Sequence, residues 1–516
     1  MANRTYYLII LSAVLAALSL ISGCNRSNSP QDEITSAIAK EQAGDLRAAY
    51  VHAKTAVQAD PDYADGRWFL GRMEVSAGLG ASAERNLVRG LKLGVTPPNA
   101  VEWVTRALLL QAKYEAVIDG DPGKLVAKHF TPPASPARAN ELALVGHAHA
   151  NLGAMDTAIA IYHEALALAP ECGEALYGLG ATAAHAAHDK EARDWLEQAV
   201  KAEPRLANAW TAFGDLEFRQ KHFEAAAEAF GKAANLRLDN DSDLFMRFFA
   251  VLSIPNYDGA RTELQILQKT GSRPAWKSYA QGLLAFHQKE FPAARDALRA
   301  AVASAPDFDA ALAYLGYTEF LLGDLEQART DLGAVYAKSQ SDPKLAASLA
   351  SVELRLKNYD RAAELASKAL AIDPDTTLAI DVLGSAALAA GNTNLALQHF
   401  DALVTKTPKS WSARAKLGSS HLEAGNLDKG FTELEAAVNL SSDRVPLRVT
   451  LARAYMQAGR FDAAAKIGQQ MQTDWPESSI GWMLEGGAYL AKRDIPAASK
   501  IFTATLEKFP GDPSAA

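Results

Sequence analysis

The residues best suited to chemistry are few and poorly placed for it. His185 and His188 are three apart, a spacing that puts two imidazoles on one helical face, but no second pair of ligands accompanies them and no metal site is expected. Cys172 lies in "PECGE", where the sequence supplies no base to activate a thiol, so an inert free cysteine is expected. "GDPGK" (120–124) has a glycine and a lysine in order. It lacks the long glycine-rich loop and the Ser or Thr that cradle phosphate and metal, so it reads as a turn. No G-x-S-x-G, H-E-x-x-H or paired-cysteine motif occurs, and the carboxylates are spread over helix faces. The expectation is a protein that is not an enzyme and needs no cofactor.

Cys24 stands apart. Arg4 supplies a positive charge, and Leu8 to Leu20 is an apolar run too short to anchor in a bilayer, which needs roughly 17–25 residues. The run ends at Ile21, Ser22, Gly23 and Cys24, which resemble a bacterial lipobox. On that resemblance residues 1–23 are a lipoprotein signal peptide, and Cys24 becomes a lipid-bearing N-terminus. Residues 24–31 then read as the lipidated cysteine and a flexible polar tether. Asn25, rather than Asp, follows the cysteine; by the same resemblance the address is the outer membrane, facing the periplasm.

The 516 residues carry a formal net charge of -8, and 49% are hydrophobic, the composition of a soluble protein with no basic surface for nucleic acid. Length says little about domain number when a chain repeats itself, and this one does. Pro170, Pro204, Pro306, Pro374, Pro408, Pro476 and Pro510 fall on a ruler of step 34. Ten residues past the marks lie Gly146, Gly180, Gly214, Gly282, Gly316, Gly384, Gly418 and Gly486; twenty-two past lie Ala158, Ala192, Ala226 and their successors. Small residues at two fixed points let paired helices approach closely, while proline ends one unit and begins the next. Large apolar residues at helical spacing fill the stretch between, as Trp210, Phe213, Leu216, Phe223 and Phe230 do.

Period, proline, glycine and alanine positions together resemble the tetratricopeptide repeat. The resemblance implies an all-α superhelical solenoid of about 13–14 helical hairpins behind the signal peptide. Eleven regular units span 139–512, less regular hairpins cover 32–130, and "TPPASPA" makes a proline-rich break at 131–138, the expected subdomain boundary. The last unit ends at "KFPGDPSAA" without a polar capping helix, which predicts a docking face there or further chain. "LISGC", "DLRAAYVHAKTAVQADPDYADGRWFLG" and "VTRALLLQAKYEAVI" are also similar to the PEP-CTERM system tetratricopeptide-repeat lipoproteins, which accompany exosortase sorting and exopolysaccharide export.

In such hairpins the second, fifth, ninth and twelfth places face an inner groove. Here they give Phe245 and Phe249, then Trp276, Tyr279 and Phe286, then Tyr317 and Phe320, and elsewhere mostly small residues. Aromatic walls can stack on sugars or take up apolar side chains, or can simply close the core. The Lys and Asn of a carboxylate clamp are missing, so a C-terminal peptide clamp is not expected. The resulting expectation is a lipid-anchored periplasmic scaffold that binds other proteins of an envelope export or sorting complex. Two readings stay open beside it: an accessory of outer-membrane protein assembly, and a polysaccharide- or peptide-binding module using the aromatic groove.

Overall fold

The computed structural model describes residues 29–126, 135–254, 257–441 and 444–510. Residues 1–28, where the signal peptide and Cys24 are expected, and residues 131–134 of the break lie outside the described residues. The described residues are 80% helical, forming 29 helices and no strand. No helix among them is long and apolar enough to cross a membrane. Contacts divide the chain into two compact units, Met1–Gln288 and Lys289–Ala516.

Each unit is a stack of antiparallel helix pairs, and the ruler explains the pairing. Ala158, Ala192, Ala226, Ala260, Ala294, Ala328, Ala362, Ala396 and Ala464 are fully buried, and Ala498 nearly so. Opposite them the glycines admit a partner's bulk. A Cβ on Gly214 would stand 2.8 Å from Phe230 Cε1, and one on Gly384 would stand 2.6 Å from Phe400 Cε1. Any larger residue there would drive the two helices apart.

The turn within each pair obeys the same period. Gly153, Ala187, Lys221, Lys289, Gly323, Lys357, Gly391, Gly425, Gly459 and Arg493 all adopt positive φ at steps of 34. These left-handed residues end the first helix of each hairpin and let the backbone reverse. Half of them lack glycine, so the turn was invisible as a glycine pattern.

Three local expectations need correction. Ser29, Pro30 and Gln31 are not tether: Ser29 and Asp32 form a reciprocal capping box, and Pro30 opens the helix Pro30–Gln42. "GDPGK" is not only a turn, because the reversal is made at Gly120 alone and Asp121 begins the short helix Asp121–Val126. The unit boundary falls at Gln288, not at 131–138. The helix Ser135–Asn151 packs directly on Ala100–Leu109 and Tyr114–Ile118, so the chain on either side of the break shares one core.

Candidate functional site

The first unit forms a half-open cavity of about 870 Å³ whose wall is charged and aromatic. Glycine spacing builds its centre. Gly146 and Gly178, on the helices Ser135–Asn151 and Gly173–His185, clamp the ring of Tyr162 so tightly that a Cβ on either would stand 2.5 or 2.4 Å from it. The clamp aims the Tyr162 hydroxyl at His147 Nδ1, 2.8 Å away, while His147 Nε2 lies 3.0 Å from Glu174 Oε2. An ionised carboxylate only accepts, so Nε2 carries a proton; in the neutral ring Nδ1 then accepts from Tyr162.

Glu174 is 1% exposed, and it tolerates burial as an anion because Arg106 Nη1 sits 2.6 Å from its Oε1. That guanidinium and the His147 bond outweigh burial and hold the Glu174 carboxyl down to about 2. Arg106 also donates through Nε and Nη2 to Glu102 Oε1, at 3.1 and 2.8 Å, and its two carboxylate partners raise its own pKa despite burial. Arg72 is held by Glu41 at 2.9 Å, and both guanidiniums lie over Trp103, 5.1 and 5.7 Å from its ring. Arg237 completes the far wall, donating to Asn208 at 2.7 Å and pairing with Asp243 at 3.3 Å. Burial, with Glu174 nearby, pushes the Tyr177 hydroxyl up to about 12 and the Glu203 carboxyl upward.

The aromatic set lies elsewhere. Phe245 and Tyr279 are interior, each about 6% exposed and stacked at 5.3 Å, so they offer no ring face to a ligand. They were expected in the groove; packing between successive repeats claims them instead. Phe249 is half-buried and extends the same stack, 6.1 Å from Phe245 and 5.3 Å from Phe218, and Trp276 meets Phe245 edge-on at 4.7 Å. Phe286 is half-buried. In the second unit Tyr317 and Phe320 are half-buried against the cluster around Leu332 and Leu349, and Arg355 covers Phe320. Cys24 lies outside the described residues. Cys172 is buried before the helix Gly173–His185, its thiol pushed up to about 11 by burial. His185 and His188 are both exposed, and among the described residues no three His, Cys, Asp or Glu gather at metal-binding range.

The cavity residues were missed although their signal was present. Glu174 and Asn208 stand at the second place of their hairpins, Tyr177 at the fifth, and Arg72 and His147 at the ninth, the same places that pointed to the aromatics. Those places are not mostly small in the N-terminal half. Tyr162, Glu203 and Arg237 fall outside those places, and Glu102, Trp103 and Arg106 lie in the irregular unit, where the ruler does not fix them.

With fold and cavity in place, comparison assigns the class. The tetratricopeptide-repeat profiles match residues 146–206, 279–344, 315–376, 382–444, 449–513 and 421–472, more than half of the chain, which therefore belongs to the tetratricopeptide-repeat family and has the architecture of a protein-interaction scaffold. No curated protein matches the sequence. Among solved structures it is similar to the anaphase-promoting complex hetero-tetramer Cut9–Hcn1, at 14% identity and TM-score 0.49 over 88% of this chain and 95% of that one. A tetratricopeptide repeat protein from Parabacteroides merdae matches at 14% and TM-score 0.42, covering 48% of this chain and 98% of its own. The human IFIT1 dimer with PPP-AAAA matches at 17% and TM-score 0.39, over 66% and 91%.

Proposed function

We propose that this protein is a scaffold tethered to the periplasmic face of the outer membrane through a lipid on Cys24, and that it organises an envelope export or surface-sorting assembly. Its first unit is the seat for a segment of a partner protein. One observation carries this reading: the inward places of successive hairpins converge on a single cavity, where Arg106, His147 and Tyr162 are arranged around the buried Glu174 carboxylate. Such an arrangement fixes donors and acceptors before a partner arrives, which lowers the ordering cost of binding. The lipobox resemblance supports the tether, and the similarity of the N-terminal hairpins to PEP-CTERM system lipoproteins supports the pathway.

A photo-crosslinking residue at Thr182, in the cavity wall, is expected to capture a discrete envelope protein in intact cells, whereas one at the exposed Glu364 in the second unit is not. Equal capture at both positions would remove the cavity from the function. Cys24→Ser is expected to move the protein from the membrane to the soluble periplasmic fraction.

A further inference from the structure

The hairpins of the first unit return to their own beginning. The stretch after the helix Phe223–Asn235 meets the end of the helix Ala64–Ser76, where the Leu238 amide donates to the Ser76 carbonyl at 3.1 Å. The Leu238 side chain enters the cluster of Ile34, Phe69, Leu70 and Met73. Beside it Arg47 Nη2 donates to the Thr270 carbonyl at 3.0 Å. Asp239 reaches the left-handed Gly78, where a Cβ would stand 3.7 Å from its Oδ2. Consecutive hairpins bury whole helix faces against each other; among the described residues this junction rests on Leu238, its backbone bond to Ser76, Arg47 and the approach of Asp239 to Gly78. It is the weakest joint in the ring, and Ser76, Gly78, Leu236, Arg237 and Asp239 make it part of the cavity wall.

The wall also limits what can occupy it. Arg72, Arg106 and Arg237 are already paired with Glu41, with Glu102 and Glu174, and with Asp243. None of these three is free for a terminal carboxylate. Glu203 lies in the wall without an ion pair among the described residues, beside Glu102, Glu174 and Arg106. With Arg205 counted, five carboxylates (Glu41, Glu102, Glu174, Glu203, Asp239) line the cavity against four guanidiniums (Arg72, Arg106, Arg205, Arg237), and the excess of carboxylate favours a neutral or basic visitor. Trp103 is covered by two guanidiniums and Tyr162 by two glycines, which leaves neither ring free for a sugar to stack on. Two donors in the wall, Arg72 Nε and Trp103 Nε1, have no acceptor in the closed ring, so closure without a ligand is imperfectly satisfied.

We propose that the first unit is a clasp: it opens at the Leu238–Ser76 seam, admits sideways an extended internal segment of a partner polypeptide with neutral or basic side chains, and closes over it. This rests on the reading of the cavity as a partner's seat. Lateral entry is what a joint in the wall permits and an unbroken ring forbids.

The test uses the full-length chain carrying Cys24→Ser, Arg47→Cys and Thr270→Cys, joined across the seam by a short bis-maleimide, with two fluorescent capped decapeptides, Ac-(Ala-Lys)5-NH2 and Ac-(Ala-Glu)5-NH2, as probes. Cross-linking is expected to slow association of the lysine probe by about tenfold or more while circular dichroism stays unchanged. Glu203→Gln is expected to weaken that probe about fivefold, and Glu364→Gln, on the other unit, to leave it unchanged. Equal association rates with and without the cross-link, or failure of the cross-link to form in a folded chain, would overturn the clasp. Preference for the glutamate probe would overturn the assigned occupant. Binding of neither probe by a chain that still captures a partner at Thr182 in cells would overturn this proposal and leave the scaffold reading standing.

Discussion

Tyr162 reaches His147 only because its ring lies between Gly146 and Gly178, two glycines on neighbouring helices that leave no room for a methyl group. Gly178→Ala is therefore expected to displace the ring, break the hydrogen bond and destabilise the first unit by about 1–3 kcal/mol, the usual range for overpacking. The comparison is Gly333→Ala on the helix Leu325–Lys338, where a Cβ meets nothing within 4 Å. That change is expected to stabilise by about 0.5–1 kcal/mol, since glycine is a poor helix former. Urea denaturation of both variants checks the contrast.

Glu174→Gln leaves Glu102 as the sole carboxylate partner of Arg106 and replaces the charged acceptor of His147 with a neutral amide. Breaking one partner out of a buried ion pair is expected to cost about 3 kcal/mol near neutral pH. The folded-state pKa of Glu174 lies below its unfolded value, so its contribution is present above pH 4.5 and is lost as pH falls towards 2. The stability gap between the native chain and the variant should narrow on acidification. A gap that is constant from pH 7 to pH 3 would contradict the pairing.

Glu319 makes the opposite prediction in the second unit. It is fully buried, and burial together with the neighbouring Asp331 raises its carboxyl well above 4.5, although Arg299 Nη2 lies 2.9 Å from its Oε1. A raised carboxyl binds its proton more tightly folded than unfolded, so its contribution is complete below pH 4.5 and fades as pH rises towards neutrality. Glu319→Gln, which carries the equivalent hydrogens permanently, is expected to be less pH-sensitive than the native chain across pH 5–8 in thermal melts.

Ala187 and Lys357 hold left-handed backbone at φ 59° and 65°, where Gly153, Gly323 and Gly391 use glycine at the equivalent place. Replacing either by glycine is expected to stabilise the hairpin by about 0.5–1 kcal/mol, because relief of the Cβ clash exceeds the added freedom of the unfolded chain. Calorimetry on Ala187→Gly and Lys357→Gly checks this.

Cys172 should resist maleimide at pH 7.5 in the folded chain and react once it is unfolded, because its buried thiol titrates near 11 and its Sγ is 3.2 Å from Asn140 Oδ1. Mass spectrometry before and after guanidinium distinguishes the two states.

The repeat was legible because each hairpin is a local object. Its period, the glycines that admit Phe230 or Phe400 and the alanines opposite them, is written in every 34 residues. The same ruler marked the inward places, and it led to Phe245 and Tyr279 because aromatic residues look like ligand contacts when only their register is known. Whether a ring at an inward place meets a ligand or the next repeat depends on how closely adjacent hairpins approach, and here they close over both rings. The polar set at those places was passed over because the partners of Arg106, Glu102 and Glu174, come from different helices, one of them nearly 70 residues away.

What the sequence alone determined is thus everything enforced within one hairpin or between two in succession: helix, turn, stacking and the family to which they belong. The cavity and its seam were decided only by the tertiary structure. Small rotations from one hairpin to the next add up until Leu238 meets Ser76, and no single repeat records that sum.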